Sequence, residues 1–212
     1  MLKNTSSPPS LVVSDLAAQR GGRLIFRGLS FSAGPGDAIT ITGPNGSGKS
    51  TLLRILAGLA LPETGTVIRT PCEKSAMRFS GHRDGLKSGL TVEENLAFWA
   101  AIYAAPENDV KGAIDSFELS TVRNMPVDLL SAGWRRRAGL SRLALGNAPV
   151  WILDEPYTTL DTGNVARVDG IFSNHIAKGG IIILATHQEP GFFASQNITM
   201  TTYEARAQEV LW

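Results

Sequence analysis

An α/β fold with a mainly parallel core sheet, a small antiparallel β subdomain and an inserted helical subdomain follows from three features of this 212-residue sequence. Ala38-Ile39-Thr40-Ile41-Thr42 is an apolar strand that runs through a Gly-rich turn into Leu52-Leu53-Arg54-Ile55-Leu56, which has helical period. Two more continuous apolar runs, Val150-Trp151-Ile152-Leu153 and Ile181-Ile182-Ile183-Leu184-Ala185, suit parallel strands buried on both faces. Between about Ser80 and Leu145, Ser/Thr punctuation and helical periodicity take over.

The elements can be taken in order. Residues 1–10 hold a Ser/Pro cluster without an apolar central region, so they read as a flexible tail rather than a secretory signal, and 11–212 as a single domain. Leu11–Val13, Leu24–Ser32 and Thr66–Thr70 read as short strands of the antiparallel subdomain, separated by turn residues at Gly21-Gly22, Gly34-Pro35-Gly36 and Pro62-Glu63-Thr64-Gly65. The helix after Lys49 buries Leu52, Ile55, Leu56 and Leu59 along one face and ends near Gly58. In the helical subdomain, about residues 80–145, Thr91-Val92-Glu93-Glu94 is a capping box that opens a helix through Tyr103. Further helices are expected over Glu107–Phe117 and Gly133–Leu145. Phe98, Trp99, Ile102 and Tyr103 fit either a helix core or a partner-facing patch. A helix from about Gly163 to Lys178 joins the last two apolar runs, and Ile198–Tyr203 alternates like one more strand.

Composition narrows the function classes. The chain is 43% hydrophobic and 18% charged, which is ordinary for a globular protein, and its net charge of +1 gives no broad basic field for nucleic acid. The single cysteine, Cys72, excludes an internal disulfide and suits a reducing compartment. The longest apolar helical window, Leu96–Ala105, falls short of the roughly 18 residues a membrane span needs.

Gly43-Pro44-Asn45-Gly46-Ser47-Gly48-Lys49-Ser50-Thr51 is a phosphate loop in strand, loop, helix context. Its glycines let successive amides turn inward, and the helix start adds the positive end of a dipole, so the loop cradles polyphosphate. Lys49 is suited to bridging the outer phosphates, and the Ser50 hydroxyl to ligating Mg²⁺. The expected ligand is therefore a nucleotide with Mg²⁺.

A second cluster completes the chemistry. The run Val150–Leu153 delivers Asp154 and Glu155 to the strand's carboxyl edge, where open α/β sheets bind ligands. Asp154 is expected to hold Mg²⁺, through a water, and Glu155 to orient and polarise the attacking water. His187 follows the strand Ile181–Ala185 at the same edge and is expected to contact the γ-phosphate.

Leu130-Ser131-Ala132-Gly133-Trp134, the run from Arg135 to Ala144, Asp154-Glu155-Pro156, Thr159-Leu160-Asp161 and Ala185-Thr186-His187 follow the phosphate loop in a fixed order. In that order and spacing the chain resembles the ATPase domains of ABC transporters over nearly its whole length. The resemblance implies an ATPase coupled to transport, with two ATP molecules held in a head-to-tail dimer. Ser131, Ala132 and Gly133 would reach the nucleotide of the opposite subunit, and Asp161 would signal across the interface. Within the family, Gly81-His82-Arg83-Asp84-Gly85-Leu86-Lys87, Leu90–Phe98 and Thr186-His187-Gln188 bring the likeness to the haem-exporter subunits of bacterial cytochrome c maturation. That subfamily implies a peripheral protein on the cytoplasmic face of the inner membrane, docked on integral membrane subunits and linked indirectly to haem and a haem chaperone.

Export of another small molecule or a lipid is the nearest alternative. DNA-repair and ribosome-associated cassettes form a different class; they carry long coiled coils or two tandem cassettes, and the sequence has neither. A phosphate-loop kinase would leave the segment at Ser131 and Glu155 without a use.

Three positions depart from the wider family pattern. His82 stands where a glutamine is usual, and imidazole offers Mg²⁺ nitrogen in place of oxygen. Arg20 stands near the place of an adenine-stacking aromatic, and Trp134 replaces the glutamine that ends the signature. Arg135-Arg136-Arg137, taken alone, reads as a solvated helix face.

Overall fold

The computed structural model describes residues 8–71 and 76–203. Most of the expected tail, the C-terminal nine residues and Cys72 lie outside the described residues. Strand β1, Ser10–Arg20, pairs antiparallel with β2, Arg23–Ala33, across the Gly21-Gly22 turn. Both glycines have positive φ, as the tight hairpin turn matching strand twist requires. After β3, Ala38–Thr42, and α1, Lys49–Leu56, the chain adds β4, Thr64–Thr70, to the free edge of β1. The three-stranded order is β2-β1-β4.

β1 is much longer than Leu11–Val13. The side chains it gives the core cluster are Leu11 and Val13, then Leu16 and Ala18, an odd-to-even change of phase, with Ala17 buried between the last two. A register shift between Val13 and Leu16 inserts the extra residue and turns the second half's apolar side chains back to the core.

The five-stranded sheet has the order β5-β6-β7-β3-β8, with every neighbouring pair parallel. It comprises β3 with β5, Met77–Ser80, β6, Val150–Asp154, β7, Ile181–Ala185, and β8, Gln196–Thr199. Sequence reading misses β5 because Arg78 breaks its apolar pattern. That guanidinium is buried, donates to the Leu145 carbonyl at 2.9 Å and lies 3.8 Å from the Tyr103 ring centre. The expected last strand is shorter than its alternation suggests: Met200–Tyr203 is a 3₁₀ turn.

The helical subdomain holds α2, Val92–Ile102, α3, Asn108–Ser116, and α4, Ala132–Ser141. The capping box of α2 forms, with Glu94 N donating to Thr91 Oγ1 and Thr91 N to Glu94 Oε2. α5, Thr162–Ala177, links β6 to β7. Alternate residues of the core strands feed two hydrophobic clusters. Val150, Ile152, Ile181 and Ile183 pack with the β subdomain and α1, whereas Trp151, Leu153, Ile182 and Leu184 pack with α5 and the helical subdomain. No helix among the described residues is long and apolar enough to cross a membrane.

His175 of α5 stacks on Trp151 at 3.7 Å and 10°. Its Nε2 is buried without a protein partner, so burial pushes its pKa down to about 4, and Lys178 adds to the effect. The unfolded imidazole takes up a proton near 6.5. Stability is therefore complete above pH 6.5 and is lost as pH falls toward 4. Between pH 7 and 4.5, wild type should lose about 2 kcal/mol more than His175→Phe, measured by urea unfolding. Equal losses would contradict this.

Candidate functional site

The phosphate loop leaves β3 at Thr42 and turns through Gly43 to Gly48, which caps α1. Gly48 has φ +100°, and a Cβ there would lie 2.7 Å from Ile25 Cγ2 and 3.0 Å from Phe26 Cδ1. Only glycine permits both that conformation and the close approach of β2. Lys49 is 7% exposed, and its Nζ donates to the carbonyls of Gly43 at 2.7 Å and Pro44 at 3.2 Å. The loop thus folds around its own ammonium group.

β6 and β7 end beside the loop. Asp154 is buried; its Oδ2 lies 3.5 Å from His82 Nε2, while its Oδ1 has no protein partner. Glu155 adopts φ +50° and anchors its amide on the Ala185 carbonyl at 2.9 Å. Its Oε1 is also buried without a hydrogen bond, though His187 Nε2 stands 3.4 Å away. The separation is within ion-pair range, but the geometry is not that of a bond.

His187 Nε2 is also 3.3 Å from Lys49 Nζ and 3.2 Å from Asn45 Oδ1. Lysine only donates and a carboxylate only accepts, so this single nitrogen can serve one neighbour at a time.

A cavity of about 840 Å³ joins these groups. It is lined by Asn45–Thr51, His82, Asp154, Glu155, His187 and Arg20. Sequence reading missed Arg23, Leu24, Ile25 and Thr158, which also line it. The first three sit on the β2 arm of the Gly21-Gly22 hairpin, a placement visible only once the strands pair. Gly43 and Pro44 take part through their carbonyls.

Ser131, Gly133 and Asp161 do not line this cavity. Ser131 is the N-cap of α4, accepting from Trp134 N at 3.4 Å. Ala132 lines a neighbouring cavity of about 140 Å³ that shares His82, Glu155 and Thr158 with the large one. A Cβ on Gly133 would lie 3.2 Å from the Thr159 carbonyl, and Thr159 Oγ1 donates to the Ala132 carbonyl at 3.3 Å. Asp161 is the N-cap of α5; accepting the Asn164 amide at 2.8 Å lowers its carboxyl pKa.

The arginine run is not a solvated face. Arg136 and Arg137 are 4% and 5% exposed. Arg137 donates to the Phe117 carbonyl and covers the Trp134 ring at 3.9 Å, which gives Trp134 a partner. The apolar group around α2 splits: Phe98 and Ile102 are exposed, whereas Trp99 donates to the Gly85 carbonyl and packs against the Tyr103 ring at a 34° tilt.

Comparison with known proteins gives a consistent picture. The sequence profile described as ABC transporter matches residues 26–158. The chain is similar to the cytochrome c biogenesis ATP-binding export protein CcmA of Rhizobium johnstonii, at 43% identity over 204 residues, covering 91% of this chain and 95% of the relative. It is 41% identical over 199 residues to the protein of that name from Rhodobacter capsulatus, covering 94% and 91%. In fold it resembles an ABC transporter ATP-binding protein from Pyrococcus furiosus, with a TM-score of 0.81 at 23% identity, over 92% of this chain and 100% of that one.

The contacts around Gly48 make a test of the loop. Gly48→Ala must displace β2 or distort the turn, and is expected to cost about 1–3 kcal/mol. Affinity for ATP should fall at least tenfold. Thermal unfolding and nucleotide titration measure the two effects, and wild-type values for both would contradict the assignment of this turn.

Proposed function

Because this chain belongs to the ABC transporter family, as an ATP-hydrolysing subunit, we propose that it powers the export complex of c-type cytochrome biogenesis. The observation that carries the reading is the 43% identity, spread over 91% of the chain, to a protein named for that role. On this reading the chain sits at the cytoplasmic face of the bacterial inner membrane, docked on integral membrane subunits. Its work is coupled to haem export or to release of a haem chaperone.

The geometry supports a division of labour. Lys49 exchanges its bonds to the Gly43 and Pro44 carbonyls for the outer phosphates of ATP. Ser50 and Asp154 line one cavity, and Asp154 Oδ1 is a hard oxygen buried without a hydrogen-bond partner. These two residues fit Mg²⁺, which supplies charge neutralisation along the phosphates when bound. Glu155, with a buried free oxygen, orients and polarises the attacking water, and His187 donates to the γ-phosphate. His82, beside Asp154, acts on the same ligand shell from outside. Ser131, Ala132 and Gly133 lie outside the large cavity, as expected if they complete the site of a second copy in a head-to-tail dimer. Asp161, holding the start of α5, lies two residues beyond Thr159, which bonds that segment.

Staining c-type cytochromes for covalent haem tests the assignment in a host lacking the gene. The wild-type chain should restore staining and Glu155→Gln should not. Normal staining without the gene would leave only an ATPase that drives export of another small molecule or a lipid.

The two arginines of the hairpin that line the cavity make a separate prediction. Arg20 and Arg23 offer guanidinium planes, worth roughly 1 kcal/mol in a stack and little base discrimination. The kcat/KM ratio of ATP to GTP should stay below about a hundredfold. A larger preference, measured in steady-state hydrolysis, would exclude base reading by these arginines alone.

A further inference from the structure

Arg136 lies on α4 and is not among the residues lining the large cavity, yet its guanidinium makes five hydrogen bonds, one for each of its N–H groups. Nη2 donates to the carbonyls of Asp154 at 3.1 Å and Glu155 at 2.7 Å, and Nε to that of Pro156 at 3.1 Å. Three consecutive carbonyls are thus held by one planar group. Nη1 turns the other way, to the Gly81 carbonyl and to Asp84 Oδ1, both at 3.0 Å.

The held segment is strained where it matters most. Glu155 is a non-glycine residue at φ +50°, a conformation costing on the order of 1 kcal/mol unless its surroundings impose it. Its amide is fixed by Ala185 and its carbonyl by Arg136 at 2.7 Å, with Thr158 donating to the same oxygen at 3.1 Å from its hydroxyl, so both flanks of the strained residue are bonded. The carboxylate direction follows from that backbone. Gly81, bonded to the same guanidinium, immediately precedes His82, which faces Asp154.

α4 also meets this loop closely. A Cβ on Gly139 would come within 2.7 Å of Asp84 Cβ, so helix and loop touch with no side chain between them.

We infer that Arg136 is a positioning residue for ATP hydrolysis: it holds the backbone that aims Glu155 and ties the His82 loop and α4 to it as one unit. The inference rests on the reading of Glu155 as the residue that orients the attacking water. A lysine keeps the charge but cannot span four carbonyls and a carboxylate at once.

The test measures ATP hydrolysis by the full chain in its membrane complex, with kcat normalised to titrated nucleotide sites. The variants are Arg136→Lys, Asp84→Asn and Glu155→Gln. Arg136→Lys should lower kcat at least tenfold while KM and nucleotide affinity stay within twofold, because misdirection of Glu155 affects the chemical step. Asp84→Asn, which keeps an acceptor but loses the charge, should lower kcat about threefold in the same pattern. Normalisation removes any effect of a smaller folded fraction. If Arg136→Lys does not fold, Asp84→Asn decides. An inactive Glu155→Gln beside wild-type kcat in the deciding variant would overturn the role of Arg136 alone. A change confined to KM would also overturn it. Wild-type hydrolysis by Glu155→Gln would instead overturn the reading of Glu155, and this inference with it.

Discussion

Register in the core sheet is the constraint on which the site depends. Ile41 of β3 pairs with Ala185 of β7, and Ala185 with Asp154 of β6, so three buried strands end in one row. Each strand is buried on both faces, so ionisable groups are confined to its last residue or to the loop beyond. The loop after Thr42, the pair Asp154-Glu155 and the pair Thr186-His187 therefore emerge side by side. A slip of one residue between β6 and β7 would exchange Trp151 and Leu153 with Val150 and Ile152 across the sheet. Packing thus defends the alignment of the chemistry.

The helical subdomain is joined to this frame by buried cations rather than by apolar contact alone. Arg78 of β5 donates to the Leu145 carbonyl and lies over the Tyr103 ring, and Arg136 of α4 reaches the carbonyls of Asp154, Glu155 and Pro156; Arg137 and Arg142, over Trp134 and Trp99, brace the lobe itself. Burial lowers the pKa of Arg78, Arg137 and Arg142, a sign that desolvation is only partly offset. Such contacts are directional and fail if an acceptor moves by an ångström or two. An apolar seam can slide with less loss, so guanidinium bonds fix the relation between lobe and core more sharply.

What could be read from the sequence follows the same physics. The two long apolar runs and the phosphate loop were legible because burial and backbone curvature leave local signatures. β1 was legible only to Val13, since a bulge reverses its alternation, and β5 was hidden by Arg78. The arginine run was misread because its acceptors are carbonyls contributed by residues far away in the chain, and carbonyls carry no residue code. Arg23 and Ile25 entered the site through a hairpin partner for the same reason. Ser131 and Asp161 serve as helix caps within this chain, which their residue types do signal.

Lys49 Nζ is bonded to two carbonyls of its own loop. Those oxygens are neutral acceptors, and a bond from an ammonium group to an ionised oxygen is roughly twice as strong. The loop therefore satisfies its buried cation while leaving it a stronger partner to find, and it favours an anion over any neutral group of the same shape.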